Sequence, residues 1–420
     1  MNNRRIAELM REPAPGEREA AERGHELARA AFAERPARTS SRLPIAPAAA
    51  LAAIVAVVVA VALTPAGGAI AKLVRESLGD PVDGERPAKP ALTSLPSGGE
   101  LLVVSERGPW VVHADGSQRL LGAYDDASWS PSGRYVVATD GRQLVALTPT
   151  GEPRWSLSRL APVSGARWSP FPGYRVAYLS GRSLRVVAGD GTEDSLEARG
   201  VAAVAPAWRP VDAESVSSEG EHVLAFADRS GQVEVRDTDS GRTLWRSGAG
   251  DEPVQLTWSP DANRLLAVGR RSVRIFDGDG RLLATVSLPA GLAAEAVVGA
   301  RTAPGEADPR VADFAASGHE FALIRASRTA AQSEVVLLEA ERRPGRPHEL
   351  FTGPGSFSGL LWSEDGSSLV VGWPSADQLV FLRPDRPRRV TAVSNVARQF
   401  DPGGGADAAF PRISDWCCSP

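Results

Sequence analysis

The chain of 420 residues holds only two cysteines, Cys417 and Cys418, and they are adjacent. Neighbouring thiols cannot cross-link distant parts of a core, which excludes a disulfide scaffold and a Cys-rich zinc module. Lysine is nearly missing: of 47 basic residues only Lys72 and Lys89 are lysine. With 51 acidic residues the formal net charge is −4, which excludes a nucleic-acid binder whose affinity rests on a basic surface. The five histidines, His25, His113, His222, His319 and His348, are nowhere at metal-ligand spacing. There is no G-x-S-x-G elbow, no Walker loop and no dinucleotide fingerprint. Glycine and proline are what the chain has in excess, 41 and 33 residues, against about 12% of an average chain for the two together. Such a composition is rich in turns.

The longest uncharged stretch runs from Leu43 to Ala71, and its centre, Ala48–Leu63, reads AAALAAIVAVVVAVAL. A spanning helix needs about 20 apolar residues to cross a hydrocarbon core of roughly 30 Å, so residues 43–71 are expected to form a single transmembrane helix. Pro44 and Pro47 lie where a helix start tolerates proline. The other reading is a signal peptide cleaved near Ala66–Ala69. Such leaders total about 15–30 residues, whereas 42 residues precede the apolar stretch here. Arg29, Arg35, Arg38 and Arg42 before the stretch outnumber Lys72 and Arg75 after it. The positive-inside rule then puts the N-terminus in the cytoplasm and the rest of the chain outside it.

Residues 1–42 carry nine Arg and seven Glu. Arg5–Arg11 and Glu17–Glu34 read as helices, the second with Leu27, Ala28, Ala31 and Phe32 on one face. This cytoplasmic segment is either a solvated juxtamembrane helix or a docking helix for a cytoplasmic protein. Residues 72–99 form a juxtamembrane segment and a spacer, in which 79–99 hold four prolines and four glycines.

From residue 100 the pattern repeats. Trp129-Ser130-Pro131-Ser132-Gly133, Trp168-Ser169-Pro170, Trp208-Arg209-Pro210, Trp258-Ser259-Pro260-Asp261, Phe314-Ala315-Ala316-Ser317-Gly318 and Trp362-Ser363-Glu364-Asp365-Gly366 each close a short apolar strand and open a turn into the next. The anchor aromatics stand 39, 40, 50, 56 and 48 residues apart. Up to four short strands every 40–50 residues or so is the mark of a β-propeller blade. Before the first opening, Leu101–Ser105, Trp110–Ala114 and Arg119–Tyr124 supply three strands of a blade that lacks its first. Propellers close when the other end donates the missing strand, which removes an exposed edge; Val396–Asp401 is the expected donor. The expected fold is all-β, a propeller of seven blades over residues 100–401, with six as the alternative, and a C-terminal tail over 402–420.

These openings resemble the repeats of TolB-like and WD40-like β-propellers over about 70% of the chain, here joined to an N-terminal transmembrane anchor. The Arg-over-Lys bias fits a bacterial source of actinobacterial type. The W-D dipeptide of eukaryotic WD repeats is missing, the unit at Phe314 has lost both Trp and Pro, and an insertion, Arg301–Arg310, precedes it. The layout of cytosolic helix, one span and a large outer domain also resembles transmembrane anti-sigma factors. The zinc-binding His/Cys cluster of one such class has no counterpart, since the cytoplasmic part holds only His25 and no Cys.

The equivalent positions of Trp129, Trp168, Trp208, Trp258, Phe314 and Trp362 mark them as structural anchors packed between blades rather than a ligand platform. Asp237–Gly241 and Asp277–Gly280 sit between strands without the bidentate Glu of a calcium loop, so both are expected to be turns. Cys417 and Cys418 are a candidate vicinal disulfide or an intermolecular bridge. The expected function is a single-pass, membrane-anchored extracytoplasmic module that binds or senses a protein or cell-envelope ligand. No catalysis, cofactor, metal or nucleic acid is expected. The alternatives are an anti-sigma-like regulator acting through residues 1–42, and a propeller enzyme (lyase, glycosidase or quinoprotein-like), which needs carboxylates converging at one end of the channel.

Overall fold

Short strands joined by tight turns assemble, in the computed structural model, into seven antiparallel sheets of four strands each. The structure describes residues 94–418 apart from 171–173, 212–221, 289–309, 328–331, 387–389 and 405–407. The expected span at 43–71 and the helices before it lie outside the described residues. Among the described residues no helix is long and apolar enough to cross a membrane.

The first sheet contains β1 (Glu100–Ser105), β2 (Gly108–Val112) and β3 (Gln118–Leu120). Blades 2 to 7 then follow in order, each beginning with its innermost strand. These are β4 (Asp126–Trp129), β8 (Val163–Trp168), β12 (Ala207–Trp208), β16 (Pro253–Trp258), β20 (Ala312–Phe314) and β24 (Gly359–Trp362). The seventh innermost strand is β28 (Arg412–Cys417), which joins β1 and completes blade 1. Each of these seven strands touches the innermost strands of both neighbouring blades, all the way round. They therefore border the central axis. Seven blades form the ring, as the favoured count from the repeat spacing expects.

The core lies between blades. Leu266 and Ile275 of blade 5 pack with Phe321 and Val336 of blade 6, and every other blade junction is filled in the same way. A sheet covered on both faces has no polar face, so Val223–Ala227 is buried at all five positions. Outermost strands face water on one side and alternate, as in β7 (Pro153–Ser158).

The closing strand differs from the expected one. Val396–Phe400 is a short helix, α1, and not a strand. Val396, Ala397 and Phe400 fall on one helical face and are buried, with Phe400 edge-on to Trp110 at 5.8 Å. Asn395 at φ 57° turns the chain out of blade 7, and the Ala397 amide donates to Asp377 Oδ1 at 2.7 Å. The donor is Arg412–Cys417, inside the segment read as a tail. It buries Ile413, Ser414 and Trp416. Trp416 stands at the anchor position of the other innermost strands, 54 residues after Trp362.

The turn chemistry explains the Ser that follows the anchor in four of the openings. Ser130 Oγ accepts the Tyr135 amide (3.0 Å), Ser169 Oγ that of Arg175 (2.7 Å), Ser259 Oγ that of Arg264 (2.9 Å) and Ser363 Oγ that of Ser368 (3.0 Å). One buried hydroxyl thus closes the hairpin from the inner to the second strand. Gly133, at φ 65°, supplies the left-handed residue in the first of these turns.

Ending the chain at Pro411 removes the inner edge of blade 1 together with Ile413 and Trp416. Truncating either buried side chain costs about 2–5 kcal/mol, so loss of both with their ladder is expected to abolish cooperative unfolding. Thermal melts followed by tryptophan emission check this. A melt like that of the full chain would show that β28 does not close the ring.

Candidate functional site

Six innermost strands end in their anchor and the seventh carries Trp416 one residue before its end, so the turns that follow the anchors surround one mouth of the central channel. A cavity of about 390 Å³ occupies this mouth. Trp129, Trp168, Trp208, Trp258 and Trp416 stand in its wall, with Pro131, Pro170 and Pro210 from the turns. Its charged lining is Arg167, Arg310, Glu364 and Asp415, and Cys417 and Cys418 complete one side.

The anchors are buried, each less than a tenth exposed, and their indoles have a second use. The Trp208 Nε1 donates to the Arg167 carbonyl (3.0 Å), the Trp258 Nε1 to that of Ala207 (3.2 Å) and the Trp362 Nε1 to that of Asp313 (3.2 Å). In all three the acceptor is the residue before the anchor of the preceding blade. An innermost strand has no neighbour on its axial side, and these bonds satisfy carbonyls that would otherwise be left on that edge. Trp416 donates instead to the Gly98 carbonyl at 3.1 Å, tying the entering chain to the closing strand. The indole N–H groups of Trp129 and Trp168 are buried without a partner among the described residues.

Three acidic or amide side chains do the same for the axial amides. Asp415 Oδ2 accepts the Trp129 amide and the Ser128 hydroxyl, both at 3.0 Å, while Oδ1 accepts the Trp416 amide at 3.0 Å. Asp313 Oδ2 accepts the Trp362 amide at 2.9 Å. Gln255 Oε1 accepts the amides of Val311 (2.8 Å) and Ala312 (3.0 Å), and its Nε2 donates to the Ala312 carbonyl (2.6 Å). Asp126, 2% exposed, lies 3.6 Å from the Arg167 guanidinium and 3.8 Å from that of Arg412. Carboxylates do converge at this end of the channel, but Asp415 and Asp313 are committed to backbone amides. Burial pushes the Asp313 carboxyl up to about 6; the Trp362 amide and the Arg310 guanidinium oppose the shift and the Asp415 charge adds to it.

A second cleft of about 610 Å³ opens on the same face between blades 2 and 3. Tyr135, Trp155, Trp168 and Tyr174 line it, with Arg134, Arg154 and Asp190 at its polar side. Tyr135 stacks on Trp168 at 6.4 Å, and Tyr174 meets the same indole edge-on at 6.5 Å. Trp168 lines both cavities, so one indole joins the cleft to the channel mouth.

Other residues singled out in the sequence serve the frame. Asp237 accepts the Asp239 amide (2.9 Å) and the Ser240 hydroxyl (2.6 Å), and Asp277 accepts the Arg281 amide (2.8 Å), which are turn bonds. His319 links blades 5 and 6, with Nδ1 at 2.6 Å from Glu341 and Nε2 at 2.8 Å from Asp261. His222 lies 2.7 Å from Asp239, which also holds Arg175 of blade 3 at 2.6 Å. Trp245 of blade 4 donates its Nε1 to the Gly278 carbonyl of blade 5 at 3.1 Å. Gly280 beside it admits the ring, where a Cβ would come within 2.4 Å. Residues that sequence reading passed over are Trp416, Asp415, Asp313 and Gln255. The signal for Trp416 was present: Asp415-Trp416 follows the last anchor at repeat distance. Asp313 and Gln255 carry no such mark.

No family model matches the chain, and no curated protein matches it. Solved structures of similar fold include hydrazine synthase from Kuenenia stuttgartiensis, at 14% identity and TM-score 0.47, covering 63% of this chain and 77% of that one. BamB from Moraxella catarrhalis is similar at 15% identity and TM-score 0.44, covering 74% and 86%. The WD40 domain of Neurospora crassa Pan2 is similar at 11% identity and TM-score 0.44, covering 64% and 78%.

Trp208→Phe keeps the ring in place and removes the donor to Arg167, and is expected to cost about 1–2 kcal/mol; blade 6 shows with Phe314 that the position accepts a phenyl ring. Chemical denaturation measures it, and no loss would mean that the bond adds nothing. Asp313→Asn keeps an acceptor for the Trp362 amide and removes the ionisation. With the folded carboxyl raised from 3.8 to about 6, the folded state holds a proton that the unfolded state has released. Stability therefore falls as pH rises through that window. The variant is expected to flatten this slope and to gain up to roughly 3 kcal/mol at neutral pH, read from denaturation midpoints at stepped pH.

Proposed function

We propose that this chain is a TolB-like, membrane-anchored extracytoplasmic binding module, held by the apolar segment 43–71, which takes a protein or cell-envelope ligand on the face that carries the W-S-P turns. The observation that carries the reading is the joined pair of aromatic-walled cavities on that face. The channel mouth and the blade 2–3 cleft share Trp168 and present indole, tyrosine and proline surface with a few arginines. A concave site in which aromatic walls frame placed polar groups is a common form of a ligand-binding surface. The rigid ring beneath it lets the site form without reordering its walls, which lowers the entropy lost on binding.

Placement and binding are tested separately. In intact cells stripped of their outer envelope, added protease is expected to cut the propeller and spare residues 1–42; the opposite pattern would overturn the orientation. For binding, Thr257→Trp places an indole in the channel mouth, where Thr257 is half-buried in the wall. Recovery of the partner from membranes by the full chain is expected to fall at least tenfold in the variant, with an unchanged melting temperature. Equal recovery would remove the channel mouth from the binding site.

A further inference from the structure

The two cysteines lie where the closing strand, the entering chain and blade 2 meet. Cys417 ends β28 opposite Glu100 of β1, and its side chain packs against the cluster of Trp129 and Leu102. Cys418 follows at φ 43°. Its sulfur sits over Gly133, where a Cβ would come within 3.0 Å of Sγ. Cys417 Sγ is 3.7 Å from the Ser130 carbonyl oxygen, and Cys418 Sγ is 3.7 Å from that of Pro131. The two cysteines are paired with each other as a disulfide. Both residues are half-buried and line the cavity at the channel mouth, so a small reagent that enters the mouth meets them.

The closing strand does not depend on these sulfurs. It is held by its ladder to β1, by the bonds of Asp415 to blade 2, by Ser414 Oγ to the Ala127 carbonyl (2.5 Å) and by Trp416 to the Gly98 carbonyl. The pair is thus free to change redox state without opening the ring. A structural cross-link would join separate elements; this one joins neighbours and has no loop to close. Its position offers chemistry rather than reinforcement.

We propose that Cys417–Cys418 is a thiol–disulfide exchange site in the wall of the channel mouth, whose substrates are low-molecular-weight thiols and disulfides small enough to enter that cavity. In the reducing direction a thiolate RS⁻ attacks Sγ of Cys418. The S–S bond breaks and its electron pair leaves on Cys417, which takes up the proton released by the first thiol. A second thiol then attacks the sulfur of R in the mixed disulfide. RSSR departs, and Cys418 leaves as a thiolate that takes the second proton. Two RSH and one disulfide become RSSR and two cysteine thiols. The carbonyls of Ser130 and Pro131 stand ready as acceptors for the two S–H groups. In the oxidising direction RSSR is consumed and the steps reverse. The site lies in the wall of the channel mouth that the proposed function also uses, but the exchange itself needs neither the membrane placement nor the partner proposed above.

The test uses the full chain, equilibrated with mixtures of reduced and oxidised glutathione and trapped with iodoacetamide without denaturant. The cysteines are expected to carry either two labels or none, in proportions set by the glutathione ratio. Tryptophan emission is expected to follow the same titration, because Trp129 and Trp416 flank the pair. Cys417→Ser should trap Cys418 as a mixed disulfide with glutathione. Thr257→Trp, which narrows the mouth, should slow exchange at least tenfold, while the melting temperature stays the same in both redox forms. The proposal fails if both thiols stay free in excess oxidised glutathione, if labelling requires denaturant, or if oxidation yields only a dimer cross-linked between chains. Loss of partner binding with exchange intact, or the reverse, separates this site from the binding surface.

Discussion

The inner edge of each blade is the constraint on which the ring depends. A β-strand on the axis has a ladder partner on one side only, and its other edge faces the channel. Those groups must be satisfied from elsewhere or lose the free energy of a buried unpaired amide or carbonyl, about 1–3 kcal/mol each. The chain meets this with side chains that reach across to the neighbouring blade: the indoles of Trp208, Trp258 and Trp362 to carbonyls, and Asp415, Asp313 and Gln255 to amides. Every such bond also fixes the angle between two blades. The inner edge and the closure of the ring are therefore one problem with one set of residues.

The same residues make the surface where a ligand could sit. An anchor at the end of an inner strand brings its ring to the channel mouth, and five of the seven anchors, Trp129, Trp168, Trp208, Trp258 and Trp416, stand in the wall of the cavity there. The polar groups there are mostly occupied, and this explains why a mouth with several charged residues is not a cluster of free acids and bases. Asp313 shows the cost of the arrangement: it accepts one amide, and burial raises its carboxyl to about 6. The cysteine pair is different in kind, since its sulfurs take no part in the ladder and only pack against blade 2.

Much of this was legible before any coordinates. The periodic anchors, the Pro, Ser, Asp and Gly turns between them, and second strands without a polar face already specify stacked antiparallel blades. The anchors are buried in the ring. The strand that closes blade 1 was assigned to Val396–Asp401, where the spacing of Val396, Ala397 and Phe400 suits a helical face as well as a strand. The Asp415-Trp416 pair at repeat distance was the better guide, hidden by the glycines before it and by cysteines where the other turns carry Ser and Pro. Asp313 and Gln255 could not have been found, because nothing in one chain segment says which backbone amide of another segment will lie beside it.

The sequence by itself determined the architecture, because a local repeat that buries both faces of each sheet has few ways to pack, and because its turns are written in residues with narrow conformational preferences. Tertiary structure alone decided which strand closes the ring, which carboxylates face the axis, and that the two cysteines lie beside the first W-S-P turn, in the wall of a cavity. These depend on contacts between residues nearly 300 positions apart, such as Asp415 with Trp129 and Cys418 with Pro131. No local preference encodes such a meeting; it follows only once the ring has closed.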